Sequence, residues 1–346
     1  MSTTQRSKKL YTICAQVLNK NSTGSHIPVL ITEVIDLLQL QKGSSALDCT
    51  LGMAGHAQAM AQQVGPTGAI YGLEVDARNL ELIAQVLKEN PTIHPIHTNF
   101  EDIVTVGERI HKERGRLDAI LMDLGLSSMH VDEAERGFSF LREGPLDMRF
   151  DQRQELTAGE IVNTYPVDSL IHIFKVYGDE PFAQRIAYNL VEYRKHSRFK
   201  NTRELAAFVS AVVASRNAYY HKRAFTDGIW PDKERDRFEL WAQRRKRHPA
   251  TRVFQALRIA TNRELEVLES GLRGALEILS PGGRIAVISY HSHEDRLVKN
   301  IFKEGKLDKS LHLITKKPII PTPEEVEENP RARSAKLRVA EKNQQN

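Results

Sequence analysis

Cysteine is almost missing. Cys14 and Cys49 are the only two among 346 residues, too few for a disulfide framework or a thiolate metal cluster within the chain. No apolar run approaches the roughly 18 residues that cross a bilayer, so no membrane association is expected. The 13 histidines include no His-x-x-x-His pair beside a carboxylate, and a zinc site is not expected. No repeat of solenoid period is present. Acid is absent from Met1–Thr32, which carries Arg6, Lys8, Lys9 and Lys20 among many Ser and Thr. A cationic, acid-free segment of this kind has the composition of a mitochondrial presequence, and the competing reading is a disordered basic tail. It lacks the apolar core of a secretory signal.

What is present suits a globular protein with a real core: 40% of residues are hydrophobic and 27% charged. The net charge of +5 is compatible with a polyanionic partner without pointing to one. From His26 onward, short apolar runs alternate with helical patterns. "HIPVLITEVIDLLQL" reads as a helix from about Pro28, and "HAQAMAQQV" and "ARNLELIAQVLKEN" as further helices. "SSALDCTL", "GAIYGLEVD", "PIHTNF" and "LDAILMDLG" read as strands. This alternation predicts an α/β fold, a doubly wound parallel sheet with helices on both faces. From about Val131 to His248 the pattern is helical and polar, with no convincing central strand. The rhythm returns with "ATRVFQALRIATNRELEVLESGLRGALEIL", a long helix or helix pair, and with "RIAVISYHS", a final buried strand. The predicted division is a basic tail at 1–25, a first α/β part at 26–130 and a helical insertion at 131–248. The rest of the α/β domain follows at 249–318, and a tail rich in Pro and Glu, then basic, at 319–346.

Chemistry concentrates in "LDCTLGMAGHAQAM" (Leu47–Met60), a strand end, a turn and a helix start. In a doubly wound sheet this turn holds a nucleotide or nucleoside against backbone N–H groups. Glycine lets the main chain approach because no Cβ intervenes. The turn reads Gly52-Met53-Ala54-Gly55, without the G-x-G-x-x-G that a pyrophosphate wants. Glu74 ends the second strand about twenty residues on, where a carboxylate accepts bonds from both ribose hydroxyls. An adenosine-like ligand follows. S-adenosylmethionine fits better than a nicotinamide dinucleotide, because its sulfonium needs no phosphate cradle and is favoured by carboxylates such as Asp48 and Asp123. The bland alternative is a helix-packing turn with Glu74 as a surface acid. Asp123 closes an apolar strand, where a carboxylate is costly unless something polar meets it. A helix N-cap by Asp123 or Ser127 is the competing reading there.

Longer motifs follow: "DEAERGFSFLREGPLDMRFD" (Asp132–Asp151), "HPATRVFQALRIATNRELE" (His248–Glu266), "YHSHEDRLVK" (Tyr290–Lys299) and "NPRARSAKLR" (Asn329–Arg338). With "HIPVL" and the glycine turn, in order from His26 to Arg338, they closely resemble the small-subunit ribosomal RNA (cytosine-N4)-methyltransferase family, the bacterial 16S rRNA enzyme and its mitochondrial 12S rRNA counterpart. The resemblance implies a class I S-adenosylmethionine-dependent methyltransferase fold, Rossmann-like and doubly wound, with an inserted helical domain that handles the RNA. It implies S-adenosylmethionine as methyl donor, a cytidine as acceptor, and small-subunit rRNA or the pre-ribosomal small subunit as partner. Donor-binding positions carry over onto Ala54, Gly55, His56, Glu74, Phe100, Asp123 and His130. Ala54 stands where the family has glycine, Glu74 replaces Asp, and His130 replaces Gln. Tyr290 replaces Phe and His293 replaces Leu in the run Phe-His-Ser-Leu-Glu-Asp-Arg. No carboxylate is lost.

The segment Ser215–Arg247 is longer than the bacterial pattern and is basic, with Tyr219, Tyr220, Trp230 and Trp241. It reads either as an RNA-contacting insertion or as a solvated charged loop. Cytosine's exocyclic nitrogen is a poor nucleophile, so an enzyme must align it with the methyl group and accept a hydrogen bond from the amine. The Asn/Asp-Pro-Pro-Tyr motif of other amino-methyltransferases is missing. The candidates for the acceptor are Asp123, Asp147 and His291, or a backbone carbonyl. The base must also be splayed from its stack. Phe138, Phe140, Arg136, Arg142 and Arg149 are candidates to hold it, against a packing role for the two rings. Arg331 and Arg333 face the same choice between phosphates and pinning of the tail. The expected function is N4-methylation of a small-subunit rRNA cytidine in the mitochondrial matrix, with the cytoplasm as alternative. The rivals are an rRNA-binding assembly factor without catalysis and a nicotinamide-linked oxidoreductase. The oligomeric state stays open.

Overall fold

The computed structural model describes residues 27–125, 133–214, 242 and 247–344. The chain forms two compact units, one of Met1–Ser127 with Leu265–Asn346, the other of Ser128–Glu264. The first unit is built on a seven-stranded sheet: β1 (Ser45–Asp48), β2 (Ala69–Leu73), β3 (Ile93–Ile96), β4 (Ala119–Asp123), β5 (Arg284–Ser289), β6 (Leu311–Leu313) and β7 (Lys336–Lys342). Their spatial order is β3-β2-β1-β4-β5-β7-β6. β1 to β5 run parallel, and β7 lies antiparallel between β5 and β6.

Helices cover both faces, so the central strands must be apolar on both sides, and they read as continuous apolar runs. Alternate residues divide cleanly between the two layers. Ala46, Ile70, Leu121 and Ile288 join Val34, Met60 and Val64 on one face. Leu47, Tyr71, Ile120 and Val287 join Ile110, Leu272 and Phe302 on the other. Strand order reverses at β1, which pairs with β2 on one side and β4 on the other. In open α/β sheets a crevice forms at that reversal, outside the strands' carboxyl ends.

The segment from 319 is not a tail. It holds β7, which is inserted between β5 and β6. Its charges concealed it: Arg338 is buried and donates to Asp295 Oδ1 at 2.7 Å, and Lys336 to Oδ2 at 3.2 Å. The first helix spans Ile31–Leu38 rather than starting near Pro28, because Leu30 takes a left-handed conformation (φ 53°). The Leu30 N–H donates to Glu325 Oε1 at 2.7 Å, and Asn329 Nδ2 to the Ile27 carbonyl at 3.0 Å, so the segments 27–30 and 325–329 are tied together.

The second unit is helical in its described residues, with helices at Ala158–Thr164, Val167–Val176, Ala183–Tyr193, Thr202–Ala214 and Thr251–Asn262. It is less polar than its composition suggests: Ile161, Leu170, Phe174, Leu190, Val209 and Leu257 close a separate core. The boundary expected after His248 falls after Glu264, since Val253, Phe254 and Leu257 pack in this core. The long run "ATRVFQ…ALEIL" is a helix pair, broken where Arg263 turns left-handed (φ 49°).

Candidate functional site

Four strands of the first unit end in polar groups: Asp48 on β1, Glu74 just past β2, Asp123 on β4 and Tyr290 just past β5. Short bonds tie the first three to the turn after β1. Thr50 donates to Asp48 Oδ1 from its N–H (3.0 Å) and its hydroxyl (3.2 Å), and the same hydroxyl accepts from the Asp123 N–H at 2.8 Å. Glu74 closes the turn from below, its Oε2 accepting from the Gly52 N–H at 3.0 Å and its Oε1 from the Asp76 N–H at 2.8 Å. It is 7% exposed, so it is not a surface acid. His56 Nε2 lies 3.0 Å from the Val29 carbonyl, and its Nδ1 lies 3.7 Å from Asp123 Oδ2.

Asp48 stands apart electrostatically. It is 1% exposed, and its Oδ2 has no hydrogen-bond partner. Burial pushes its carboxyl from 3.8 up to about 6, against the pull of His56 and the Thr50 N–H and with a further push from Asp123. Buried carboxylate oxygens are normally satisfied, so one left open beside two other ionisable groups marks a place where a ligand supplies the missing donor. The adjoining helix, Gly55–Val64, has no side-chain cap. Its first N–H groups therefore also have spare capacity.

The two kinds of turn residue have structural roles of their own. Gly52 is needed for conformation, with φ at +48°. Gly55 is needed for packing, since a Cβ there would lie 2.5 Å from Pro28 Cγ. Ala54 holds a left-handed conformation (φ 59°) and is fully buried, so the alanine reproduces the turn at the cost of some strain. Phe100 opens a short 3₁₀ turn after β3 and packs on Gly271, where a Cβ would meet Phe100 Cβ at 2.5 Å. His130 lies outside the described residues, as does the segment 215–247 save Ala242 and Arg247.

Of the three acceptor candidates, Asp147 is engaged elsewhere, and His291 serves as a helix cap while its Nε2 makes no hydrogen bond. His291 caps the helix Ser292–Leu307, its Nδ1 facing the Glu294 N–H at 3.5 Å and its Nε2 lying 2.9 Å from Glu294 Oε1. Asp147 belongs to the second unit. Its Oδ1 accepts from the Arg149 N–H and Nε at 3.0 and 2.9 Å, and its Oδ2 from Nη2 at 2.7 Å. Burial alone would raise its carboxyl, but the Arg149 bonds and charge hold it below the usual range.

The two rings and Arg136 are likewise internal, whereas Arg142 is exposed. Arg136 is 1% exposed and donates to the carbonyls of Arg149 and Phe150 at 2.9 and 3.0 Å. Phe138 stacks on Phe150 and Phe140 packs edge-on against Phe254, so both rings pack inward. Arg331 and Arg333 are exposed on a 3₁₀ turn, and Asn329, Lys336 and Arg338 pin the segment. Sequence reasoning passed over Thr50, whose hydroxyl bridges β1 to β4. Its position two residues beyond Asp48, where an Asx turn forms, was the available signal.

A model of the MraW methylase family matches residues 23–343. The chain is 39% identical over 332 residues to a protein of Halothermothrix orenii named ribosomal RNA small subunit methyltransferase H, covering 92% of this chain and 98% of that one. It is 41% identical to the protein of the same name from Carboxydothermus hydrogenoformans, again covering 92% and 98%. A third protein of that name, from Dehalococcoides mccartyi, is 41% identical, with 92% and 86% covered.

Proposed function

The chain belongs to the MraW methylase family, and on that premise we propose that it transfers a methyl group from S-adenosylmethionine to N4 of a cytidine in small-subunit ribosomal RNA. Its first unit is then the class I, Rossmann-like methyltransferase domain. The observation that carries the reading is the open oxygen of Asp48, buried at the point where strand order reverses and flanked by Glu74 and Asp123.

The residues fit the donor. Glu74 retains lone pairs after accepting from two N–H groups, enough for ribose hydroxyls. Asp48 and Asp123 give the crevice a negative field suited to a sulfonium and an α-ammonium. No glycine-rich phosphate cradle is present, which disfavours a nicotinamide dinucleotide. Ala54 keeps the turn closed, so this substitution does not favour an assembly factor without catalysis. When bound, the donor supplies a methyl group already activated by its sulfonium.

The protein's remaining tasks are alignment and proton acceptance. Orientation alone supplies several kcal/mol of the barrier, about 7 at the low end of effective-molarity measurements. Asp123 ends β4 at the crevice, with its side chain 17% accessible, and we assign it the hydrogen bond from the cytosine amine. Methylation mapping of small-subunit rRNA from cells with and without the protein tests the reading. One cytidine should lose its N4-methyl mark, and an unchanged map would defeat it. We also propose import into mitochondria, supported by the acid-free basic stretch at Met1–Thr32. A fluorescent reporter fused to residues 1–25 should enter the organelle, and diffuse cytosolic signal would count against import.

A further inference from the structure

The peptide unit joining Val29 to Leu30 is held from both sides. Its carbonyl lies 3.0 Å from His56 Nε2, and its N–H donates to Glu325 Oε1 at 2.7 Å. A carbonyl can only accept, so Nε2 carries the hydrogen and donates. The two bonds act through one conjugated group. A carboxylate drawing on the N–H makes the carbonyl of the same peptide a stronger acceptor. Glu325 and His56, far apart in the chain, thus meet through a single peptide plane.

Local preference does not produce this arrangement. Leu30 is left-handed, at φ 53° and ψ 33°, a region that residues with a Cβ enter at a cost. Glu325 comes from the short helix Pro323–Glu328. Of that helix's four acids it is the one that is not exposed. Burial pushes its carboxyl above the ordinary 4.5, the Leu30 N–H pulls it back, and the charges of Glu33 and Glu328 add to the rise. A half-buried carboxylate turned onto one backbone N–H makes a charge-assisted bond, stronger than a neutral one. On the other side of the peptide, the buried His56 ring is gripped at Nε2 and turns Nδ1 towards the crevice, 3.7 Å from Asp123 Oδ2. Which way an imidazole faces, and which nitrogen carries its hydrogen, is set by the bond made at its other edge.

We infer that Glu325 is a positioning residue of the methyl-donor site, fixing the His56 ring through the Val29–Leu30 peptide so that Nδ1 faces the crevice before the donor arrives. The inference rests on the reading of His56 as a donor contact. A ring ordered in advance loses less freedom on binding, so loss of the Glu325 bond should appear in donor affinity. A second tie on the same segment, from Asn329 Nδ2 to the Ile27 carbonyl at 3.0 Å, does not touch that peptide and provides the control.

The test uses the full chain. Calorimetry with S-adenosylmethionine at up to millimolar concentration gives affinity, denaturant unfolding gives stability, and NMR of isotope-labelled histidine in the donor-free protein reports the His56 Nε2–H. Wild type should show that proton as a slowly exchanging resonance. Glu325→Ala should remove it and weaken the donor about three- to tenfold, the scale of one hydrogen bond to a charged group. Glu325→Gln keeps an acceptor oxygen, so it should restore the resonance and bring affinity within about twofold of wild type. In a His56→Ala background, Glu325→Ala should alter donor affinity by less than about twofold. Asn329→Ala should lower stability yet leave donor affinity within about twofold of wild type. Unchanged donor affinity in Glu325→Ala, or a His56 resonance absent from wild type or unaltered by that variant, would overturn the inference. So would a full effect of Glu325→Ala without His56, equal weakening by Asn329→Ala, or a Gln variant as weak as the Ala one. Glu325 would then be a clasp alone. His56→Ala binding the donor as wild type does is a separate result: it would remove the donor-contact reading of His56, and the inference with it.

Discussion

Two acid-bearing regions of this chain look alike in sequence and are opposite in construction. At the mouth of the sheet, Asp48 is buried with an oxygen unmet, and Asp123 is held in place yet partly open. In the second unit, Asp147 sits in a winding held by its own side-chain and backbone contacts. Arg149 takes both its oxygens, and Arg136 binds the carbonyls on either side of the next peptide bond. Asn262 donates to the Met148 carbonyl at 2.7 Å and accepts from the Phe150 N–H at 2.8 Å, which holds Met148 left-handed at φ 60°. The winding is tight enough that Gly137 and Gly144 face backbone oxygens directly. Long motifs therefore do not mark chemistry by themselves. Spare hydrogen-bonding capacity on a buried ionisable group is the better guide, and at the strand ends Asp48 supplies it.

The contrast can be broken most severely at Gly144, where a Cβ would lie 1.8 Å from the Ala134 carbonyl oxygen. Gly144→Ala should cost about 4 kcal/mol or more, read as a collapse of the denaturant midpoint. An effect under about 1 kcal/mol would mean that the winding is loose. Next, Asp147→Ala should cost about 2 kcal/mol of stability, less than a fully buried pair because both partners retain some solvent contact. Asp123→Ala should cost about 1 kcal/mol or less but weaken the donor more than about tenfold. Similar losses of stability at the two sites would erase the distinction.

Acid titration separates the regions by sign. The carboxyl of Asp147 is held below its unfolded value, so its contribution is present above about pH 4 and is lost as pH falls through the folded value. The Asp48 carboxyl is raised from 3.8 to about 6, so the native state is favoured by protonation there. That favour is complete below 3.8 and is lost as pH rises through about 6. Asp48→Asn should therefore stabilise the donor-free protein by about 2 kcal/mol at pH 7.5, with no gain at pH 4, while weakening the donor. A destabilised variant at neutral pH would mean that Asp48 is a fold residue like Asp147. The smallest effect is expected at Ala54. Ala54→Gly relieves about 1 kcal/mol of left-handed strain but gives up a buried methyl worth about 0.8 kcal/mol, so unfolding should shift by less than about 0.5 kcal/mol.

The same contrast explains what could be read from residues alone. β1, β2, β4 and β5 were legible because strands buried on both faces must be apolar, and Glu74 and Asp123 were legible because they end such strands. β7 was not, since Lys336 and Arg338 look solvent-seeking until Asp295 on a distant helix is known to meet them. Asp147 passed as an acceptor because its partner, two residues on, reads equally well as a contact to the splayed base. The packing role of Gly55 was not legible, because nothing local shows that Pro28 lies against it. The missing information is long-range pairing in each case but Asp147, where it is geometry over two residues.

The claim beneath all of this is that the strand-end crevice holds the methyl donor, with Glu74 gripping both the turn and the donor's sugar. Calorimetric titration of wild type and Glu74→Ala with S-adenosylmethionine measures it directly, with circular dichroism to verify that the variant is folded. Wild type should bind one donor per chain, and Glu74→Ala should bind at least about 30-fold more weakly, the scale of two lost hydrogen bonds to a charged group. Equal affinity in a folded variant, or no binding to wild type, would contradict it.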